Sequence, residues 1–246
     1  MQRYFAKEKK ADTFVLYEKD IHHIKNVMRM KIKDMIEVVY ENALYSCEIA
    51  NLEPLLLNTI KNIDSDSEMN INLTVAISLI SEQKMDLVLQ KLTELGVSEI
   101  IPIKTERSII KLDEKKEIKK INRWQTICKE ASEQSKRTKI PRVRPIMTIS
   151  ELSNIKNELK MLCSLNEKSK LLSEYLKPDI KEILFTIGPE GGFTIDEENK
   201  LIEGGFLPAS LGKRVMRVET AAIYVASIIN YVYEGWYNGF HHKLLQ

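Results

Sequence analysis

Apolar positions in the first 65 residues recur in short runs with strand-like alternation. Ile36-Glu37-Val38-Val39-Tyr40 and Leu44 to Ile49 read as two strands separated by Glu41-Asn42-Ala43, as in a hairpin, and Leu55 to Ile63 reads as a third. Asp64-Ser65-Asp66-Ser67-Glu68 then holds no apolar residue and reads as a surface linker or turn. A strand-rich piece of this size suggests a small β-barrel.

Beyond the linker the pattern changes to strands alternating with helices. Ile71 to Leu79 is β-rich and mostly apolar, and Met85, Val88, Leu89, Leu92 and Leu95 then fall at helical spacing. Gly96 follows as the residue expected to end that helix in a left-handed conformation. Ile100 to Ile103 is the next strand end, and a basic helix is expected from about Glu114 to Ser135. Met161 to Leu165 and Ile183 to Ile187 are short apolar runs that suit buried parallel strands. Thr194-Ile195-Asp196-Glu197 has the form of a capping box, and Gly204-Gly205 closes the helix it starts. Thr220 to Trp236 reads as a last helix, apolar on most of its circumference. The alternation argues for an α/β domain with a largely parallel sheet.

The hydrophobic share of the 246 residues, 43%, supports a real core. No run approaches the length of a membrane span, and the N-terminus turns charged at once, without the apolar region of a signal peptide. Cys47, Cys128 and Cys163 are scattered, with neither pairing nor metal spacing, which fits a reducing, cytoplasmic setting. His22-His23 and His241-His242 lack ligand-spaced neighbours, so no metal is expected. The net charge of +2 is unevenly spread. Residues 1–33 carry nine basic and four acidic side chains, and residues 104–144 carry fourteen and six, so the remainder is acidic. Such patches suit a polyanion partner, and they also suit solvated helix faces.

Three segments could carry chemistry. Phe185 to Phe193 is a buried strand that ends in Gly188-Pro189-Glu190-Gly191-Gly192 and enters a capped helix, where backbone can approach a ligand closely. Taken alone, it also suits an ordinary tight turn. It lacks the spacing of a dinucleotide fingerprint, and Gly212-Lys213-Arg214 is not a P-loop. In Leu211 to Thr220, Arg214 and Arg217 stand just before a helix, where the dipole disfavours cations. A phosphate, a carboxylate or a substrate oxygen would account for them, and so would salt bridges to Glu219 or its neighbours. Thr105-Glu106-Arg107-Ser108 and Glu130 to Arg137 combine hydroxyl, amide and basic groups suited to RNA, or simply to a polar helix face.

Taken together, these motifs resemble the bacterial 16S ribosomal RNA uridine-N3 methyltransferases of the SPOUT superfamily. The resemblance runs nearly end to end. It covers Arg3-Tyr4-Phe5, His22 to Met30, Lys84 and Asp86, Gln90 to Val97, Thr105 to Ser108, Glu130 to Arg137, Ile187 to Phe193 and Leu211 to Thr220. Val215-Met216 departs mildly, replacing one apolar pair by another. The resemblance implies a PUA-like β-barrel RNA-binding domain over residues 1–69. Over residues 70–246 it implies a SPOUT methyltransferase domain with a C-terminal trefoil knot.

It further implies S-adenosylmethionine as cofactor, held by three loops. The first begins at Leu165; the second includes Ile187, Gly188, Glu190, Gly191 and Gly192; the third includes Leu211, Gly212, Val215, Met216 and Arg217, with Thr220 beyond it. Arg217 and Glu219 are the expected catalytic pair, Glu219 orienting Arg217, with Glu190 as an alternative near the base. Arg3, Arg29, Arg107, Gln134 and Arg137 are the expected RNA contacts. The expected partners are 16S ribosomal RNA or the small ribosomal subunit and a second copy of the chain, with no membrane. Two alternatives remain at this point: a knotted methyltransferase with another RNA target, and a non-catalytic RNA-binding protein.

Overall fold

The computed structural model describes residues 1–11, 13–108 and 114–237. His241-His242 lie outside the described residues. The chain divides into two units, Met1–Glu68 with Lys129–Ile140, and Met69–Cys128 with the residues from Pro141 onward.

The first unit is built on β1 (Gln2–Lys10), β2 (Thr13–Leu16), β3 (Met35–Tyr40), β4 (Ala43–Leu52) and β5 (Leu55–Ile63), in the order β2-β1-β3-β4-β5. β1 and β3 run parallel and the other pairs antiparallel. The sheet coils until its edges approach, with the Leu57 N–H donating to Thr13 Oγ1 at 3.4 Å. The turn between β3 and β4 is tighter than the sequence pattern suggests. Ala43 already pairs with Tyr40, and Glu41 and Asn42 both take positive φ (50° and 66°), as a two-residue I′ turn requires. Between β2 and β3 lies a short α1 (Glu18–His22), which runs into a π-helical stretch, His23–Val27.

Strand alternation gives this sheet two apolar faces. Tyr4, Ile36, Val38, Cys47, Ile49 and Leu57 gather on one with Phe14 and Ile24. Phe5, Val39 and Leu44 lie on the other, against Ile63 and Ile140. The sequence pattern places 129–140 in the second domain, but these residues pack as part of the first unit. They bring buried charge with them. Lys129 Nζ donates to Asp20 at 2.8 Å and to Glu133 at 2.6 Å, and Glu133 also accepts the Phe5 N–H. Burial outweighs the pull of Lys129 and raises the Glu133 carboxyl to about 6.

The second unit comprises β6 (Asn72–Ser78), α2 (Glu82–Glu94), β7 (Glu99–Lys104), most of α3 (Glu114–Gln134), β8 (Arg142–Val143), β9 (Met147–Thr148), α4 (Ile149–Ser153), β10 (Leu159–Cys163), β11 (Glu182–Ile187), α5 (Ile195–Glu203), β12 (Leu207–Ala209) and α6 (Val218–Tyr237). Its sheet is wholly parallel, ordered β12-β10-β11-β6-β7-β8, with β9 also paired to β7. Val75, Ala76 and Ile77 are all fully buried, because both faces are covered. Ala76, Ile101, Leu162 and Leu184 pack under Leu152, Phe193, Leu201 and Phe206. α2 packs against α6, which also meets β11. Gly96 ends α2 at φ +83°, and the capping box at Thr194 forms, its hydroxyl accepting the Glu197 N–H at 3.3 Å.

A cavity at the carboxyl ends of three parallel strands

β10, β11 and β12 are neighbours in the sheet, and their carboxyl ends open together into a cavity of about 610 Å³. That volume falls within the roughly 300–1,000 Å³ of small-molecule sites, and its place beyond the strand ends is where ligands bind in α/β sheets. Three loops form its wall, following Cys163, Ile187 and Ala209.

Internal hydrogen bonds shape the loops. In the first, Glu167 accepts the Ser169 N–H and hydroxyl at 2.6 and 2.7 Å, which holds its carboxyl down at about 2. Ser164 Oγ and Asn166 Nδ2 donate to Glu198 of α5 at 2.8 and 3.0 Å. In the second, Gly192 turns back on Pro189 at φ +70°, and a Cβ there would meet Leu165 Cδ1 at 3.3 Å. Arg107 supports this loop from outside, donating to the Gly191 and Phe193 carbonyls at 2.6 and 3.4 Å. In the third, the Ser210 N–H donates to the Lys170 carbonyl at 2.8 Å, tying the third loop to the first. Gly212 stands at φ +106°, with open space where a Cβ would project.

Charges of both signs line the wall. Lys84, in the first turn of α2, donates a hydrogen bond to Glu190 and stands 3.7 Å from Glu219 Oε2. The Glu190 partnership raises the Lys84 ammonium above its ordinary value and lowers the Glu190 carboxyl. The Arg217 charge also reaches both groups and opposes the rise at Lys84. Glu219 Oε2 is buried without a hydrogen-bond partner among the described residues. The cofactor implied by the sequence resemblance fits this wall: Leu165 and Val215 offer exposed apolar surface, Gly212 leaves room, and a zwitterionic tail finds both carboxylates and cations.

Most of the expected cofactor residues line this cavity: Leu165, Ile187, Gly188, Glu190 and Gly192 on one side, and Leu211, Gly212, Val215, Met216 and Arg217 on the other. Gly191 and Thr220 do not. The Gly191 carbonyl accepts from Arg107, and Thr220 is exposed on the first turn of α6. Beside Glu219 stands Lys84, its Nζ 3.7 Å from Oε2. Sequence reading left Lys84, Ser164 and Glu198 out of the site. Lys84 stands on α2 and Glu198 on α5, and only the fold brings them to the loops.

The expected RNA contacts divide. Arg29 and Gln134 are exposed. Arg3 is 6% exposed and pairs with Glu37 at 2.9 Å, and Arg137 is 3% exposed and pairs with Glu68 at 2.7 Å. Both guanidinium groups are held inside the first unit by these carboxylates. Arg107 serves the second loop. Among the described residues no cluster of His, Cys, Asp and Glu could hold a metal ion, and no helix is long and apolar enough to cross a membrane.

Comparison with known proteins agrees with this architecture. A family described as an RNA methyltransferase domain matches residues 67–230, and one described as an RNA methyltransferase PUA domain matches residues 16–57. The ribosomal RNA small subunit methyltransferase E of Bacillus subtilis is 34% identical over 94% of this chain and 96% of its own length. The enzyme of that name from Neisseria gonorrhoeae, solved bound to S-adenosyl methionine, superposes with a TM-score of 0.86 at 31% identity, covering 95% of this chain and 98% of its own. A Legionella pneumophila methyltransferase, solved with its bound cofactor SAM, gives a TM-score of 0.88 at 28% identity, covering 94% and 98%. With matches that span both units, the chain belongs to the ribosomal RNA small subunit methyltransferase E family.

Proposed function

We propose that the protein methylates N3 of a uridine in the 16S ribosomal RNA of the small subunit, with S-adenosylmethionine as cofactor. The observation that carries this reading is the cavity beyond β10, β11 and β12, with Lys84, Glu190 and Arg217 in its wall. The bound cofactor would supply an electrophilic methyl group. The chain's own residues then have three tasks. The loops after Cys163, Ile187 and Ala209 hold the donor in one pose, which favours in-line attack. The uracil must leave its stack to reach the cavity. Its N3 carries a proton at neutral pH, so negative charge grows on O2 and O4 as that proton leaves. Among the cations that line the cavity, Lys84, Lys168, Lys213, Arg214 and Arg217, we assign Lys84 and Arg217 to stabilising that charge. Glu190, held acidic by Lys84, is a weak base toward an imide proton.

The same reading includes a trefoil knot around the cavity loops, a cytoplasmic location and a homodimer. The dimer is supported by α6, an apolar helix on which Tyr224 and Tyr231 remain 40% and 66% exposed. The test supplies methyl-labelled S-adenosylmethionine and small subunits that lack the modification. Wild type should label the RNA, and Arg217→Ala should bind the cofactor yet transfer at least tenfold more slowly, a barrier change of about 1.4 kcal/mol. Unchanged transfer by Arg217→Ala would remove it from the mechanism.

A further inference from the structure

The segment from His23 to Asp34 is basic and apolar while lying on the outside of the first unit. Val27, Met28 and Ile32 are 59%, 40% and 53% exposed. Lys25, Arg29, Lys31 and Lys33 stand among them with no acidic residue before Asp34. Lys25 pairs with Glu53 at 2.8 Å, while Arg29, Lys31 and Lys33 are exposed to solvent.

The segment is held rigidly despite its exposure. The Met28 N–H donates to the His23 carbonyl at 2.9 Å and the Met30 N–H to Ile24 at 3.0 Å. The Lys33 N–H donates to Ile49 at 2.8 Å, and Asp34 Oδ2 accepts the Lys31 N–H at 2.7 Å. Ile24 is fully buried and Met30 packs on the same core. Between these anchors Arg29 and Lys33 adopt φ +51° and +76°, unfavourable for side chains of their size. Backbone held in such conformations while presenting unburied apolar groups is a feature also found where ligands are engaged.

We propose that Val27, Met28 and Ile32 form a wedge that inserts between unstacked bases of RNA, while Arg29, Lys31 and Lys33 engage the flanking phosphates. This rests on the reading of the chain as an RNA methyltransferase. Charge selects the occupant: three exposed cations interleaved along the chain with exposed apolar side chains match a polyanion whose bases offer apolar faces. A preformed wedge also loses little conformational freedom on binding.

The test measures binding of a labelled single-stranded RNA, and of a duplex of the same sequence, by fluorescence anisotropy at several salt concentrations. Wild type should bind the single strand in a salt-dependent manner. A variant with Val27→Ser, Met28→Ser and Ile32→Ser should bind it roughly tenfold more weakly, with the same salt slope and unchanged duplex binding. A variant with Arg29→Gln, Lys31→Gln and Lys33→Gln should flatten the slope by about 0.7 for each phosphate no longer neutralised. Circular dichroism checks the fold, and Met28→Ser alone replaces the triple variant if its melting point falls. If the serine variant binds single-stranded RNA as wild type does, the wedge is overturned and the RNA reading stands. If wild type binds neither RNA, both are overturned. If the serine substitutions abolish binding to anionic phosphatidylserine vesicles and leave RNA binding intact, the segment is a membrane contact and the wedge is overturned.

Discussion

Gly212→Ala isolates one physical requirement of the cofactor cavity. A Cβ at this position meets no atom within 4 Å, so the substitution creates no clash. What it meets is the backbone itself, at φ +106°, a conformation that L side chains rarely adopt. Holding alanine there costs about 1–3 kcal/mol. Loss of glycine's freedom in the unfolded chain offsets about 0.4–1 kcal/mol of this. A net penalty of about 1–2 kcal/mol must therefore appear somewhere. If the loop keeps its shape, the free protein is destabilised by that amount. If the loop relaxes, the free protein is spared and cofactor affinity falls by roughly five- to thirtyfold. Calorimetric titration with S-adenosylmethionine, together with denaturant unfolding of the free and cofactor-saturated protein, measures both routes. The stability of the saturated state should fall by the full amount on either route. A variant with wild-type affinity and wild-type stability would refute the argument that the third loop depends on a left-handed glycine.

Three further outcomes follow from the same geometry. Gly188→Ala would place a Cβ 3.0 Å from the Phe193 backbone nitrogen and equally close to its ring, so the second loop must shift; stability should fall by about 1–3 kcal/mol in denaturant unfolding, with cofactor affinity falling alongside. The Glu133 carboxyl, raised from 4.5 to about 6, contributes stability that is present below pH 4.5 and lost as pH rises through 6, on the order of 2 kcal/mol; unfolding measured across that window should lose this slope in Glu133→Gln. Thr194→Ala removes the α5 cap and should cost about 1 kcal/mol in unfolding free energy, with little change in the pH profile.

The elements that the sequence made legible are those set by local rules. The capping box at Thr194, the left-handed Gly96 and the continuous apolar run of β11 each depend on neighbours along the chain, and each appears as expected, whereas β10 runs Leu159–Cys163 and stops two residues short of the predicted Leu165. The glycine-rich loop was visible for the same reason. Features that local rules leave open depend on partners distant in sequence. Arg3 and Arg137 read as free cations until the fold supplies Glu37 and Glu68. Glu219 has Arg217 nearby in sequence, yet Lys84 arrives beside it from α2. Residues 129–140 continue the pattern of a helix that starts in the second unit, and nothing local says that Ile140 covers Phe5 and Val39. The family resemblance reached the site as a whole because it compares spaced motifs, but it did not reveal which side chains meet.

Identifying the modified nucleoside tests the central claim most directly. Small subunits lacking the modification would be incubated with the protein and S-adenosylmethionine, their 16S RNA digested, and the nucleosides separated and analysed by mass spectrometry against standards. The account predicts N3-methyluridine, formed only when cofactor and protein are both present. A methyl group on uridine C5, on a ribose 2′-hydroxyl or on another base would contradict the proposed chemistry, as would no methylated nucleoside from a protein that binds the cofactor.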